Sequence, residues 1–432
     1  MTHLRWPALA FAALAGCAAP ETPAPSPEDV APASVPESPL PWSGTSATYD
    51  DEVAALDLLV DTLDARVAAT PDSWFYRQQA AAALQTRARL TGSYADYASA
   101  DTHLDAALTD PNAAPWGVLA AQQYSLHRFE GLPDTLDRLA GGFPNDSVRE
   151  ADVAGRRGNY ALSQGAYAEG IELIQHSVSL HPTPTNIASL AVAHWHTGDF
   201  ETAEQLFVDA AGLYHSPAAE PRAWFHLNIG LLDLDRGRWE EALAHYRIAE
   251  RELSGSWLIE EHIAEILVNV GEHEAAEALY LDVIERTDAP EFMDALSGLL
   301  ADQGRDEEAA TWLAAARERW EGLLATFPEA AYGHALGHYL DSGDAPARAL
   351  ELATANHALR PDGEAKILLA QAHLGADQPE EAVTPITAAL DSAWESAELH
   401  AVAAEVFAAI GDTERADAER ALAVAIDPHI LD

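Results

Sequence analysis

The apolar and polar positions of this chain repeat. HTGDFETAEQLFVDA from His196, DRGRWEEALAHYRIA from Asp235, NVGEHEAAEALYLDV from Asn269, DQGRDEEAATWLAAA from Asp302 and AIGDTERADAERALA from Ala409 share one pattern. Each has a turn Gly, a polar pair, an Ala five residues after the Gly and usually a large aromatic or aliphatic residue four further on. Gly198, Gly237, Gly271 and Gly304 lie 39, 34 and 33 residues apart. A period of this length describes a helical hairpin, which cannot bury its own apolar face and must stack on its neighbours.

The pattern holds at other positions of the repeat. A small residue precedes the turn (Gly158, Ala191, Gly230, Ala264, Ala404), and another recurs on the second helix (Ala203, Ala242, Ala276, Ala309, Ala382, Ala416). A large residue follows one turn later (Phe207, Tyr246, Tyr280, Leu313, Ile386), and Pro182, Pro361 and Pro428 close three of the repeats. In these positions the chain resembles the tetratricopeptide repeat family. The resemblance implies an all-α solenoid, a right-handed superhelix that binds through its concave surface. About ten repeats are expected: 72–111, 113–144, 151–182, 184–217, 223–254, 257–289, 290–322, 329–361, 363–395 and 397–428. The first is irregular after Gly92, and the eighth has one extra residue after Gly343. The stretch from Tyr49 to Thr70 reads as an amphipathic helix over the open N-terminal end, and Arg420 suits a last repeat facing water.

GEHEAAEALY, from Gly271, begins as a zinc protease helix begins, but Glu277 stands where the second His of HExxH belongs. The repeat frame accounts for it. His273 takes the aromatic position of Phe200 and Trp239, and Glu274 and Glu277 are solvent-side helix formers.

Composition changes the picture in two respects. The chain has 432 residues and a net charge of -46, with 70 Asp and Glu against 24 Lys and Arg, which excludes nucleic acid as a partner by repulsion of phosphate. Its single cysteine, Cys17, closes LAGC after the apolar run ALAFAALA, so residues 1–16 read as a secretory leader too short to span a bilayer. LAGC resembles the bacterial lipobox, which implies lipidation of Cys17 and a lipid anchor as the chain's only membrane contact. Ala18 resembles the pattern for outer-membrane sorting. Residues 17–48 are rich in Pro, Ala, Ser and acid and read as a stiff, disordered tether, leaving 49–432 for the solenoid.

No Walker A, GxSxG or dinucleotide fingerprint occurs, so the expectation is a non-enzymatic scaffold or adaptor without a cofactor, anchored in the bacterial cell envelope. Repeat-containing lipoproteins that help insert outer-membrane barrels are similar in anchor and repeat type. Projected on the repeat frame, Trp195, His196, Trp224, Asn228 and Asp235 fall near the concave surface, followed by Glu261, His262, Glu265, Asn269, Glu291, Asp294 and Asp302. Such an aromatic patch beside an acidic one suits a protein or peptide with an apolar anchor and basic residues. A second class is a metal- or solute-binding envelope protein using His and acidic residues, for which His334 and His338, four apart on a helix, are the weak metal candidates.

Overall fold

The computed structural model describes residues 46–431 except 143–145, 217 and 343–344. Cys17, the leader and the tether up to residue 45 lie outside the described residues. A short strand β1 (Ala47–Thr48) leads into α1 (Tyr49–Ala69), which buries Val60, Leu63 and Val67 against the first hairpin. Ten hairpins follow, forming the expected all-α solenoid. The first five are α2–α3 (Trp74–Thr91, Tyr94–Ala107), α4–α5 (Trp116–Ser125, Leu132–Gly141), α6–α7 (Ser147–Ser163, Tyr167–Leu180), α8–α9 (Pro184–His196, Phe200–Leu213) and α10–α11 (Ala219–Leu234, Trp239–Glu252). After β2 (Leu253–Ser254) come α12–α13 (Trp257–Asn269, His273–Thr287), α14–α15 (Pro290–Asp302, Asp306–Thr326), α16–α17 (Pro328–Ser342, Pro346–Leu359), α18–α19 (Gly363–Gly375, Pro379–Leu390) and α20–α21 (Ala397–Ala409, Thr413–Ile426).

Local chemistry sets the helix ends. Ser73, Ser93, Thr183, Asp199, Asp362, Ser396 and Asp412 accept a backbone N–H of the first turn of their helices, satisfying donors that the helix itself leaves open. The recurring small residues sit where helices touch. Ala203, Ala242, Ala276, Ala382 and Ala416 are wholly buried, and a Cβ at Gly158 would meet the Gly170 carbonyl at 2.8 Å. Phe207 and Tyr246 fill the groove to the next hairpin, each such burial contributing about 1.5–3 kcal/mol. α15 runs four residues past the expected boundary at 322, because buried Trp320 and Leu324 continue its apolar stripe up to Pro328.

The hairpins coil back on themselves. Five successive hairpin turns of the first half meet segments of the second half. Gly92 packs under the Trp257 ring, whose Nε1–H donates to the Leu90 carbonyl at 2.9 Å. His127 reaches the Glu329 carbonyl, Gly165 abuts the Pro361 carbonyl, Gly198 abuts the Glu395 side chain and Gly237 abuts Asp427. Backbone contacts reinforce them: β1 pairs in parallel with β2, and Thr197 bridges to Glu395. The residues after α21 also close on the fifth hairpin, where His429 stacks on Trp239 at 3.9 Å and 25°. Gly271, Gly304 and Gly411, in hairpins with no later stretch against them, face open space. About six hairpins thus make one superhelical turn, and successive turns touch.

Candidate functional site: a cavity between two superhelical turns

The contact between turns encloses a cavity of about 300 Å³, at the small end of ligand pockets. One wall comes from the second to fifth hairpins, including Tyr124, Phe129, Trp195, His196 and Trp224. The other comes from the eighth to tenth, including His334, Arg360, Gln371, Trp394 and Glu395. Trp394 lies in the loop before α20 and crosses the seam, its ring 4.5 Å from that of His196 and 6.1 Å from that of Tyr167. Gly363 makes this possible, since a Cβ there would overlap the Trp394 ring. The Tyr167 hydroxyl accepts the Gly363 N–H at 2.6 Å, a second clamp at the same place.

The polar groups of the cavity are unevenly charged. Arg360 donates from Nε to Asn356 Oδ1 at 2.9 Å and lies against the backbone of Gly333. Around it the lining carries Asp235, Asp362, Glu364, Glu395, Glu398 and Glu405. Burial raises the Asp362 carboxyl, with Arg360 opposing. Burial lowers His196 and His334 to about 4 and His127 well below its usual range, so all three imidazoles are neutral at physiological pH. Glu364 Oε1 and Gln371 Oε1 are buried acceptors with no hydrogen-bond partner among the described residues. The cavity therefore offers aromatic walls, neutral imidazoles and open acceptors, a setting for an apolar body carrying cationic N–H donors.

Of the residues expected to meet a partner, Trp195, His196, Trp224 and Asp235 line this cavity. Trp195 is a fixed part of the wall, buried and donating from Nε1 to Asp235 Oδ2 at 2.8 Å, whereas Trp224 is half-buried. Asn228 is buried and donates to the Trp224 carbonyl. Asp294 holds three helices together, accepting from Trp320 Nε1 at 2.8 Å and His338 Nδ1 at 2.6 Å. Glu261, His262 and Glu265 form a separate cluster on α12, Asn269 ends that helix, and Asp302, exposed, ends α14. Glu291 lies half-buried in the first turn of α14, its carboxyl raised to about 7 by burial. His334 and His338 do not converge. His338 uses both ring nitrogens, one toward Asp294 and one accepting from Arg317 Nε at 3.3 Å, while His334 lies parallel to Trp320 on the cavity side. Of the HExxH-like stretch, Glu274 is exposed, whereas Glu277 is half-buried and pairs with Arg305 at 2.6 Å. Tyr124, Phe129, Arg360, Gln371 and Trp394 were not expected. They belong to hairpins that meet only through the superhelical turn, and no spacing within the repeat announces that meeting.

No family model and no curated protein matches the chain. Among solved structures it is similar to yeast Tom70 (15% identity, 86% of this chain and 89% of that one, TM-score 0.47). It is also similar to pilF of Pseudomonas aeruginosa (14% identity, 49% and 90%, TM-score 0.37). A third is a tetratricopeptide repeat protein of Parabacteroides merdae (17% identity, 56% and 93%, TM-score 0.35). Likeness at this level carries no functional argument.

Proposed function

We propose that this chain is a non-enzymatic protein-interaction scaffold of the bacterial cell envelope, which takes an apolar or aromatic anchor of a partner protein, flanked by cationic groups, into the cavity between its superhelical turns. The observation that carries this reading is the lining: Trp224 and Trp394 provide aromatic surface, and Glu364 Oε1 and Gln371 Oε1 are buried acceptors without partners among the described residues. A cavity of about 300 Å³ holds one or two side chains rather than a long peptide, so the anchor enters while the rest of the partner lies outside. The acidic surface, at a net charge of -46, draws cationic segments toward it and speeds encounter. Lipidation of Cys17 and the tether that follows would hold the scaffold at a membrane, in an outer-membrane envelope most naturally the outer one.

Two experiments test the reading. Capture of envelope proteins with the wild-type chain and with Trp224→Ala should recover a partner that the variant releases, while the variant keeps wild-type helicity. Equal recovery by both would contradict the cavity assignment. Cys17→Ser in the native host should leave the protein unprocessed or free of membranes, and a variant that matures and fractionates like wild type would contradict the anchor.

A further inference from the structure

Glu261, His262 and Glu265 stand at i, i+1 and i+4 on α12. Glu261 and His262 are each 6% exposed, and Glu265 is half-buried. One nitrogen meets both carboxylates: His262 Nδ1 lies 3.2 Å from Glu261 Oε2 and 3.3 Å from Glu265 Oε2. All three donor atoms fall within 4.8 Å of one another. Other buried His–carboxylate contacts in this chain are built differently. His338 gives Nδ1 to Asp294 at 2.6 Å, and His400 gives one nitrogen to Glu419 and the other to Glu395, each at 2.6 Å. Those are charge-assisted hydrogen bonds, whereas one N–H shared between two carboxylates beyond 3 Å satisfies neither well. Separations of this size do match the edge of a tetrahedron around a cation with ligands at about 2.0–2.1 Å, whose donor atoms stand about 3.3 Å apart.

A second observation lies beside the cluster. Tyr246 is fully buried, its ring is stacked on His262 at 5.6 Å and 26°, and its hydroxyl has no hydrogen-bond partner among the described residues. The Glu261 and Glu265 carboxylates lie within 4.8 Å of each other, and the burial of Glu261 makes that crowding costly. A divalent cation offsets that repulsion.

We propose that Glu261, His262 and Glu265 bind one divalent transition cation of the zinc type, its remaining position left to a water for which the Tyr246 hydroxyl is the missing partner. An imidazole among only three protein donors favours zinc over magnesium or calcium, which take more oxygen ligands. The site is independent of the partner reading. None of its three ligands lines the cavity.

The test is calorimetric titration of the chelator-stripped full chain with Zn²⁺, in millimolar Mg²⁺ to occupy ordinary surface carboxylates. One equivalent should bind saturably and raise the melting temperature. Glu265→Gln should weaken it at least about tenfold, and Tyr246→Phe should weaken it about tenfold at unchanged stoichiometry, the lower end of the usual outer-shell effect. Glu274→Gln, on the exposed face of α13, should change nothing. Absence of a saturable equivalent overturns the proposal, as does wild-type affinity in Glu261→Gln/Glu265→Gln. Should that double variant lose its helicity, the single Glu265→Gln at the half-exposed position decides.

Discussion

The amide of Glu395 donates to the carbonyl of His196 at 3.0 Å, tying the turn of the fourth hairpin to the loop before the tenth. Hairpin stacking alone needs no such bond, since each hairpin is already covered by its neighbours. The contact turns an open concave surface into a cavity with two walls, and it recurs along the seam at Gly92, Gly165 and Gly237.

Glycines at the seam should therefore tolerate substitution less than glycines elsewhere in the same structural position. Gly165 and Gly271 both have positive φ, 73° and 82°, and replacing either by Ala costs roughly 1 kcal/mol for that reason alone. A Cβ at Gly165 would also lie 2.7 Å from the Pro361 carbonyl oxygen, whereas at Gly271 it meets nothing within 4 Å. Gly165→Ala should lower the melting temperature clearly more than Gly271→Ala. Equal losses would count against the seam.

Within a hairpin, Ala242 is wholly buried on α11, so Ala242→Leu should cost about 1–3 kcal/mol by overpacking. Glu274→Gln, exposed on the equivalent helix of the next hairpin, should stay within about 0.5 kcal/mol. Chemical denaturation of the two variants side by side checks the repeat register.

Asp294→Ala should destabilise by about 2 kcal/mol or more, because it strands the buried Trp320 N–H and the His338 ring together. If Asp294 instead served a partner, the variant would melt like wild type and lose only binding.

Stability should fall as pH rises from about 6.5 to 8. Burial raises Asp233 to about 6 and Glu291 to about 7, so these groups add stability as pH falls from about 8 and they take up protons in the fold before they do so in the unfolded chain. Burial lowers His226 to about 3 and His196, His245 and His334 to about 4. Below about pH 6.5 the unfolded chain protonates these histidines and the fold does not, so stability is lost as pH falls from there toward about 4. Thermal melts from about pH 6.5 to 8 should show a falling melting temperature; below that range the carboxyls and the histidines oppose each other. A steady rise toward pH 8 would contradict the burial of these carboxyls.

The hairpins were legible in the sequence because what makes them is local: a turn Gly, a small residue at the crossing and a large one a turn later. Ala203 with Phe207 and Ala242 with Tyr246 carry that signal within five residues. Half of the cavity was legible on the same grounds, since Trp195, His196, Trp224 and Asp235 project from consecutive first helices. The other half was not. Trp394 sits in an irregular loop and finds His196 only after six hairpins have coiled, and the match of Tyr167 with Gly363 has no periodic signature. His334 and His338 share a helix but diverge, because Asp294 and Arg317 on neighbouring helices claim the second ring.

Successive superhelical turns touch, and an engineered disulfide across the seam probes that contact. Thr197 and Glu395 are paired across the seam as neighbouring strands are, which places their Cα atoms about 5 Å apart, within disulfide reach. In a Cys17→Ser background, Thr197→Cys with Glu395→Cys should close under mild oxidation into an intramolecular cross-link, visible as a shifted monomer band on a non-reducing gel and reversed by thiol. A monomer that keeps both thiols free and reactive under the same conditions would mean that the turns stand apart and that the cavity does not exist in solution.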